Sequence, residues 1–474
     1  MKKIKTLIVL MVLSCLIASS QVSTSKKDMA GSWKGALAIS GIQLRLVFNI
    51  SFHAPDSLSA TMDSPDQGAK NLTMGKVVLD KNMLKIMAPF IGGLYSGTIE
   101  NDSTINGTWS QGGRNFPLVL KRLNGVFVLG RPQEPKAPFP YKVEEVSFTN
   151  RVFNITLSGT LTIPEGEGPF PAVVLITGSG AQNRDEALMG HKPFLVIADW
   201  LTRKGIAVLR YDDRGVGKSQ GNYAESTSAD LATDVAAALE FLEKDKRINT
   251  SLTGLIGHSE GGLIAPIVAA GNNRVGFIVS LAGTGVNGEK ILFRQQADIS
   301  RLSGVSEKDI EEAASVNSKL YSIVRKEKNN VKAEEKVLST YGKMLEKNVK
   351  DQGEREKSIA QLKAGFGAQT YTWFRFFLSA DPATYWKKVR CPVLALNGDK
   401  DLQVAADINL PAIEKALSSS GNKAVKTIKL PGLNHLFQHC TTGLPAEYGQ
   451  IEETFSPEAL EIISGWINGL RDRH

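Results

Sequence analysis

The chain has 474 residues, of which 42% are hydrophobic and 22% are charged, and its formal net charge is +8. This length and composition are those of an ordinary globular protein with two or three domains. Lys and Arg are interspersed with Asp and Glu, and they do not form basic runs with interleaved aromatic residues. The positive charge therefore does not indicate a nucleic-acid-binding protein, and we expect no nucleic-acid partner.

The first residues have the pattern of a bacterial signal peptide. Early lysines precede an apolar stretch from Thr6 to Ile17, and the small residues Ala18-Ser19-Ser20 follow it. The apolar stretch is shorter than the roughly 20 residues that a transmembrane helix needs. We therefore expect residues 1–20 to be a signal peptide, and the protein to be exported to the periplasm or secreted, with no stable membrane span.

The cysteines leave two questions open. Val12-Leu13-Ser14-Cys15 loosely resembles a lipobox, so a lipoprotein anchored through Cys15 is the alternative to a freely exported protein. Cleavage after Ser20 would leave Cys391 and Cys440, which are too few for a disulfide framework in a chain of this length. These two cysteines are either paired or free.

Residues 29–125 are predicted to form a small antiparallel β domain, either a barrel or a sandwich. Short apolar segments alternate there with turn residues such as Asp80-Lys81-Asn82. The predicted strands are 33–39, 44–50, 58–62, 83–86, 95–99, 107–109 and 116–120. Residues 126–140 are rich in proline, which excludes helix and central strand, so this segment is predicted to be a stiff linker.

Residues 141–474 are predicted to form an α/β domain with a mostly parallel, doubly wound sheet. Apolar runs alternate there with helical stretches, as in a sheet covered by helices on both faces. The predicted strands are 145–149, 157–163, 172–177, 206–211, 253–256, 277–281, 393–396 and 424–430. From about residue 285 to 380 there is no strand pattern, and apolar residues recur at helical spacing among many Lys and Glu. This stretch is predicted to be a helical cap inserted between the sixth and seventh strands.

Gly257-His258-Ser259-Glu260-Gly261 fits the Gly-x-Ser-x-Gly nucleophile elbow. An apolar strand precedes the motif and an apolar helix follows it, which is the strand-turn-helix context that the elbow requires. Gly217-Lys218-Ser219-Gln220-Gly221 matches the same pattern, but no apolar helix follows directly, so Ser219 is interpreted as a loop residue. Ser259 is therefore the predicted nucleophile.

A serine hydroxyl needs an imidazole to take its proton and a carboxylate to orient that imidazole. Of the six histidines, His435 and His439 follow the last predicted strand, and His435 is preferred as the base. Asp399 and Asp401 share the loop after the seventh strand. Asp401 is preferred as the acid, because Asp399 lies at the strand end, where aspartate often shapes a turn.

The negative oxygen of the transition state needs hydrogen-bond donors, which are usually two main-chain N–H groups. One is predicted at Glu260, directly after the nucleophile. The other is predicted in the turn Gly178-Ser179-Gly180-Ala181, with Ser179 as the best single candidate.

On these residues the chain resembles the α/β-hydrolase family from Tyr141 to His474. The chain order Ser259, Asp401, His435 agrees with that family, and residues 210–219 are similar to the loop after its fourth strand. The resemblance is closer to bacterial esterases with an amino-terminal β domain than to the acyl-CoA thioesterase and dipeptidyl-peptidase-like branches. One departure is that Thr177-Gly178-Ser179-Gly180 stands in place of the His-Gly-Gly-Gly motif of some lipases and esterases.

What the resemblance implies is an acyl hydrolase without cofactor or metal, which cleaves an ester of a small-molecule acyl substrate through an acyl-enzyme. A serine peptidase and an acyl thioesterase with the same triad are the enzymatic alternatives, and a non-catalytic surface-binding protein is the alternative from another class. An aromatic cluster at residues 371–377 either lines an acyl pocket or packs the cap onto the core. The sequence gives no indication of an oligomeric state.

Overall fold

The computed structural model describes residues 25–39, 42–67, 69–123 and 130–471. The predicted signal peptide and Cys15 lie outside the described residues. The chain divides into two compact units, 1–128 and 129–474. Within the described ranges, no helix is both long and apolar enough to span a membrane.

The first unit is built on one antiparallel sheet of nine strands in the order β4-β3-β2-β1-β9-β8-β7-β6-β5. The strands are β1 (Gly31–Ile39), β2 (Ile42–His53), β3 (Ser57–Ser64), β4 (Ala69–Thr73), β5 (Val77–Asp80), β6 (Met83–Ala88), β7 (Gly93–Asn101), β8 (Thr104–Gln111) and β9 (Arg114–Arg122). The first and last strands of the unit, β1 and β9, pair with each other inside the sheet. The two edges of the sheet are therefore β4 and β5, which follow each other in the chain. The seven predicted strands are all present, and β4 and β5 are additional.

One face of this sheet carries the core of the first unit. Its largest fully buried side chains are Trp33, Phe48, Tyr95 and Trp109. Phe48 stacks on Tyr95 with 5.7 Å between ring centroids. A single twisted sheet buries one face by curving around it, and the result is a half-barrel, closer to the predicted barrel than to a sandwich.

The second unit is built on a sheet of eight strands in the order β10-β11-β13-β12-β14-β15-β16-β17. The strands are β10 (Tyr141–Asn150), β11 (Ile155–Pro164), β12 (Phe170–Ile176), β13 (Ala207–Tyr211), β14 (Ile248–His258), β15 (Phe277–Leu281), β16 (Val393–Gly398) and β17 (Val425–Leu430). Strand β11 is antiparallel to both of its neighbours, β10 and β13. The other described pairings in this sheet are parallel. All the predicted strands of this domain are present. This strand order is that of the α/β-hydrolase fold, as the sequence predicted.

Helices cover both faces of this sheet and form the cap. They are α1 (Pro193–Arg203), α2 (Ser228–Leu242), α3 (Gly261–Gly271), α4 (Gly288–Leu302), α5 (Glu307–Lys326), α6 (Asn330–Asn348), α7 (Gln352–Gly365), α8 (Tyr371–Ser379), α9 (Pro382–Trp386), α10 (Ala406–Ser419) and α11 (Pro457–Arg471). Helices α2, α3 and α10 bury apolar residues against one face of the sheet, and α1 and α11 against the other. The connection from β15 to β16 contains α4 to α9, at the predicted position of the cap.

The aromatic cluster of the cap serves mainly in packing. Tyr371 and Phe374 lie in the cap's own core, with Leu320 and Val324 of α5. Phe377 packs instead against Leu263 of α3. The cluster therefore joins the cap helices to each other and to the helix that follows the predicted nucleophile.

The described part of the proline-rich segment, residues 130–140, is bound to the rest of the second unit. The Arg131 guanidinium donates hydrogen bonds to main-chain carbonyls of Gly190 and Ile451, at 3.0 and 2.8 Å. The Gln133 amide accepts from the main-chain N–H of Thr454 and donates to the carbonyl of Phe455, both at 2.6 Å. These residues hold the segment against the loop that precedes α11.

Candidate active site

Ser259 lies in the turn between the end of β14 at His258 and the start of α3 at Gly261. Its φ is 54°, in the left-handed region that residues other than glycine rarely occupy. The Ser259 N–H donates to the carbonyl of Leu281 at 2.8 Å, which ties the turn to the neighbouring strand β15. A strained residue held in this way is typical of functional sites.

The two glycines of the motif are required by close backbone contacts. A Cβ on Gly257 would lie 2.1 Å from the carbonyl oxygen of Gly261, and a Cβ on Gly261 would lie 2.2 Å from that of Ile176. Both distances are far shorter than any carbon–oxygen contact allows. The turn can therefore be this sharp only because both positions are glycine.

His435 and Asp401 are brought together at the carboxyl ends of the strands. Nδ1 of His435 lies 2.8 Å from Oδ2 of Asp401, and both side chains are buried. The other carboxylate oxygen accepts from the main-chain N–H groups of Gln403 and Val404, at 2.8 and 2.9 Å. Asp401 is thereby fixed on its own loop, and it fixes the ring of His435 with Nδ1–H as the donor.

The alternative acid and base have other contacts. Asp399 accepts from the N–H of Gly432 at 2.7 Å and so joins the loop after β16 to the loop after β17. His439 is exposed, with Nδ1 at 3.0 Å from both carboxylate oxygens of Glu453. Neither side chain is a partner of Asp401 or His435 in these contacts.

The turn after β12, which contains Ser179, is held by side chains on both sides of that residue. The N–H of Gly178 donates to the Glu186 carboxylate at 2.7 Å, and the N–H of Gly180 donates to the Tyr223 hydroxyl at 2.9 Å. Ser179 lies between these two anchored residues. Its main chain is therefore fixed without a bond from its own side chain.

This turn faces the elbow. A Cβ on Gly178 would lie 3.3 Å from the Cβ of Ser259, so a larger residue at 178 would press on the serine. Glu260 is the last residue before α3. Main-chain N–H groups at the start of a helix have no partner within the helix, and they lie at the positive end of the helix dipole. The two predicted oxyanion donors thus belong to elements that lie next to Ser259.

The side chain of Glu260 links the elbow to the cap. Its Oε1 accepts from the Ser228 hydroxyl of α2 and from the Trp373 indole N–H of α8, both at 2.6 Å. Burial raises the pKa of this carboxyl above its usual value. Nothing in the sequence pattern predicted this contact, which depends on how the cap packs.

Replacing Trp373 with phenylalanine is expected to lower the free energy of unfolding by about 1–3 kcal/mol, because a buried carboxyl loses a hydrogen bond. Urea unfolding measures this. Trp200→Phe is the matched control: its indole donates to the Ser464 hydroxyl at 3.2 Å, and that hydroxyl keeps its own bond to the carbonyl of Leu460. Equal destabilisation by the two variants would contradict a special role for the Glu260 contact.

Charged residues behind the turn were not predicted either. Arg184 pairs with Asp212 at 2.8 Å, and Arg210 pairs with Asp185. Burial raises the pKa of Asp213 to about 8. The signal available in the sequence was the charged run at 212–214 directly after a buried strand, together with the charged run at 184–186.

Ser219, the serine of the second matching motif, uses its hydroxyl to stabilise a loop. Its hydroxyl donates to the carbonyl of Asp212 at 2.7 Å and accepts from the N–H of Ser158 at 2.9 Å. It is buried within a loop, in agreement with its interpretation from the sequence.

Cys391 and Cys440 are not joined in a disulfide, and burial raises their thiol pKa values to about 12 and about 11.

Residues 154–417, more than half of the chain, match the X-Pro dipeptidyl-peptidase (S15) family. The chain belongs to this family. The match begins just before β11, ends within α10 and includes Ser259 and Asp401, while His435 lies beyond it.

Individual proteins also resemble this S15-family chain. Esterase EstD of Thermotoga maritima is 27% identical over 298 residues, which cover 63% of this chain and 62% of EstD, less than two thirds of its length. An uncharacterized 31.7 kDa protein of Escherichia coli is 28% identical over 265 residues, covering 54% of this chain and 80% of its own. A solved esterase from Pyrococcus furiosus is 17% identical with a TM-score of 0.40, covering 65% of this chain and 91% of its own. The family match, residues 154–417, lies wholly within the second unit.

Proposed function

We propose that this protein is a serine esterase that cleaves small-molecule acyl esters, with Ser259 as nucleophile, His435 as base and Asp401 as the orienting acid. The observation that carries the proposal is the strained Ser259 at the end of β14, on the same sheet edge as the buried His435–Asp401 pair. Ligands of open α/β sheets bind at this carboxyl edge. The name of EstD supports the ester as the scissile bond.

The proposed reaction has two steps. Oγ of Ser259 attacks the carbonyl carbon while Nε2 of His435 takes the hydroxyl proton, and the N–H groups of Glu260 and Ser179 stabilise the negative oxygen. His435 then gives its proton to the departing alcohol oxygen, which leaves an acyl-enzyme on Ser259. A water that loses its proton to His435 attacks this ester, and the acid is released as Ser259 regains its proton.

A serine peptidase is the second candidate, because the family that the chain belongs to is described as X-Pro dipeptidyl-peptidase. The test is turnover on a matched panel: an acyl p-nitrophenyl ester series, an acyl thioester, and an Xaa-Pro p-nitroanilide. We expect kcat/KM for the best ester to exceed that for the anilide by orders of magnitude. A higher kcat/KM on the Xaa-Pro anilide would contradict the esterase proposal and favour the peptidase.

We also propose that the chemistry is separable from the half-barrel, because all the proposed site residues lie in the second unit. A shortened chain that begins at Gly130 is expected to fold and to hydrolyse a small soluble ester like the full chain. A chain that begins at Lys136 lacks the contacts of Arg131 and Gln133, so its Tm is expected to be lower by a few degrees. A folded but inactive chain from Gly130 would make the half-barrel part of the active site.

A further inference from the structure

A second carboxylate–imidazole pair lies beside the proposed triad. Nδ1 of His258 is 2.9 Å from Oε1 of Glu186, and its Nε2 is 3.0 Å from the main-chain carbonyl oxygen of His435. Both side chains of the pair are buried. The rings of His258 and His435 are 4.9 Å apart between centroids, so His258 contacts both the ring and the main chain of the proposed base.

The hydrogen bonds specify the protons on this pair. A carbonyl oxygen only accepts, so Nε2 of His258 must carry a proton. Oε1 of Glu186 accepts from the N–H of Gly178 at 2.7 Å, and as a carboxylate oxygen it accepts from Nδ1 of His258 as well. An imidazole that donates from both nitrogens is an imidazolium, and its partner is then a carboxylate.

The surroundings favour this charged form. Burial by itself lowers the pKa of His258, but the Glu186 carboxylate, the carbonyl of His435 and the charge of Asp401 outweigh it, so the pKa is raised. The remaining residues that line the small cavity beside the pair are apolar: Pro193, Phe194, Ile197, Leu281, Leu436 and Phe455. The charge of His258 is therefore balanced at close range by Glu186.

We propose that Glu186 and His258 form a positioning pair that holds the main chain of His435 and the turn at Gly178 in place around Ser259. The pair joins the loops that follow β12 and β17 to the last residue of β14. Both ring nitrogens of His258 are engaged by Glu186 and by the carbonyl of His435, so the pair acts by positioning the base. Glu186 keeps a φ of 50°, a strained value whose persistence is explained by the two groups that its carboxylate holds together, the N–H of Gly178 and the ring of His258. The inference rests on the proposed function of Ser259 and His435.

The pair makes activity dependent on the proton of His258. The pKa of His258 is raised in the folded protein. Its contribution to holding the base in place is therefore complete below the ordinary imidazole pKa of about 6.5, and it is lost as the pH rises through the folded value. Above that pH, one of the two hydrogen bonds of the ring is lost and the loop of His435 is released. In Glu186→Gln, His258 stays buried but no longer has a carboxylate partner, so its pKa falls. The loss of activity with rising pH is then expected to begin at a lower pH than in the wild type.

The experiment compares kcat and KM against pH for the full-length wild type, Glu186→Gln, His258→Gln and the double variant. Each single change is expected to lower kcat about 10- to 100-fold through misplacement of the base, with KM nearly unchanged. The double variant is expected to lose no more than the worse single variant, because the two residues act together. Glu453→Gln is the matched control and is expected to have the wild-type profile, because it alters the half-buried carboxylate partner of His439, an exposed histidine on the same loop as His435.

Additive losses, or an alkaline limb that Glu186→Gln leaves in place, would overturn the proposal. A measurement on the wild type covers the case in which the variants do not fold. Histidine-selective ¹⁵N NMR at pH 6 is expected to give a buried imidazolium with protons on both nitrogens, and a neutral His258 would overturn the pair. Fluorophosphonate labelling of wild-type Ser259 tests the proposed function separately, so the two failures are distinguishable.

Discussion

Replacing Ser259 with alanine is expected to lower ester turnover by about 10⁴- to 10⁶-fold and to abolish labelling by a fluorophosphonate. The fold is expected to survive, because alanine keeps the Cβ and the strained φ of 54° is imposed by the backbone around it. Only the attacking oxygen is removed. Turnover on a p-nitrophenyl ester and labelling of the folded variant measure the effect.

Ser219→Ala is the control, since Ser219 is the other serine in a matching motif. Its hydroxyl holds a buried loop, so the variant is expected to be less stable by about 1–3 kcal/mol but still labelled and active. Labelling that survives Ser259→Ala and disappears in Ser219→Ala would show that the nucleophile was assigned to the wrong motif.

Replacing Asp401 with asparagine is expected to lower turnover by about 10³- to 10⁴-fold without unfolding the protein. The asparagine carbonyl can still accept from the N–H groups of Gln403 and Val404, so the loop is retained. The NH2 group that replaces Oδ2, however, cannot accept from Nδ1–H of His435, and the ring is left in the wrong tautomer for a base. The measurement is kcat together with thermal unfolding.

Asp399→Asn is the charge-matched control on the same loop. Its carboxylate accepts from Gly432 and has no contact with His435, so we expect an effect on Tm and little effect on kcat. If the loss in kcat appeared in Asp399→Asn and not in Asp401→Asn, the acid would have to be reassigned.

Much of the fold was predictable from the sequence because buried parallel strands are continuous apolar runs. Strands such as β12 and β16 are buried along their whole length, and their pattern needs no tertiary information. The missed strands lack such a pattern. In β4, Asn71 has a φ of 55° and the pairing with β3 shifts register, while β5 has only four residues. Pairing at the edges of the half-barrel therefore depends on tertiary contacts.

The site was predictable only where the chemistry has a local pattern. Gly257 and Gly261 are fixed by the shape of the turn, so the motif identified Ser259. The choice of Asp401 over Asp399 followed from their positions on one loop, and the contact of Asp401 with His435 agrees with it, although the catalytic roles stay predictions. Glu186 lies 72 residues before His258 in the chain, so no local pattern connects them.

The central claim is that Ser259 is an activated nucleophile, and the most direct test is peptide mapping of the wild type after reaction with a fluorophosphonate. We expect a single adduct on the peptide that contains Ser259, and none when the protein is unfolded before the probe is added. An adduct on another serine would contradict the assignment of Ser259, and no adduct on the folded protein would contradict the account and leave the surface-binding protein as the better description.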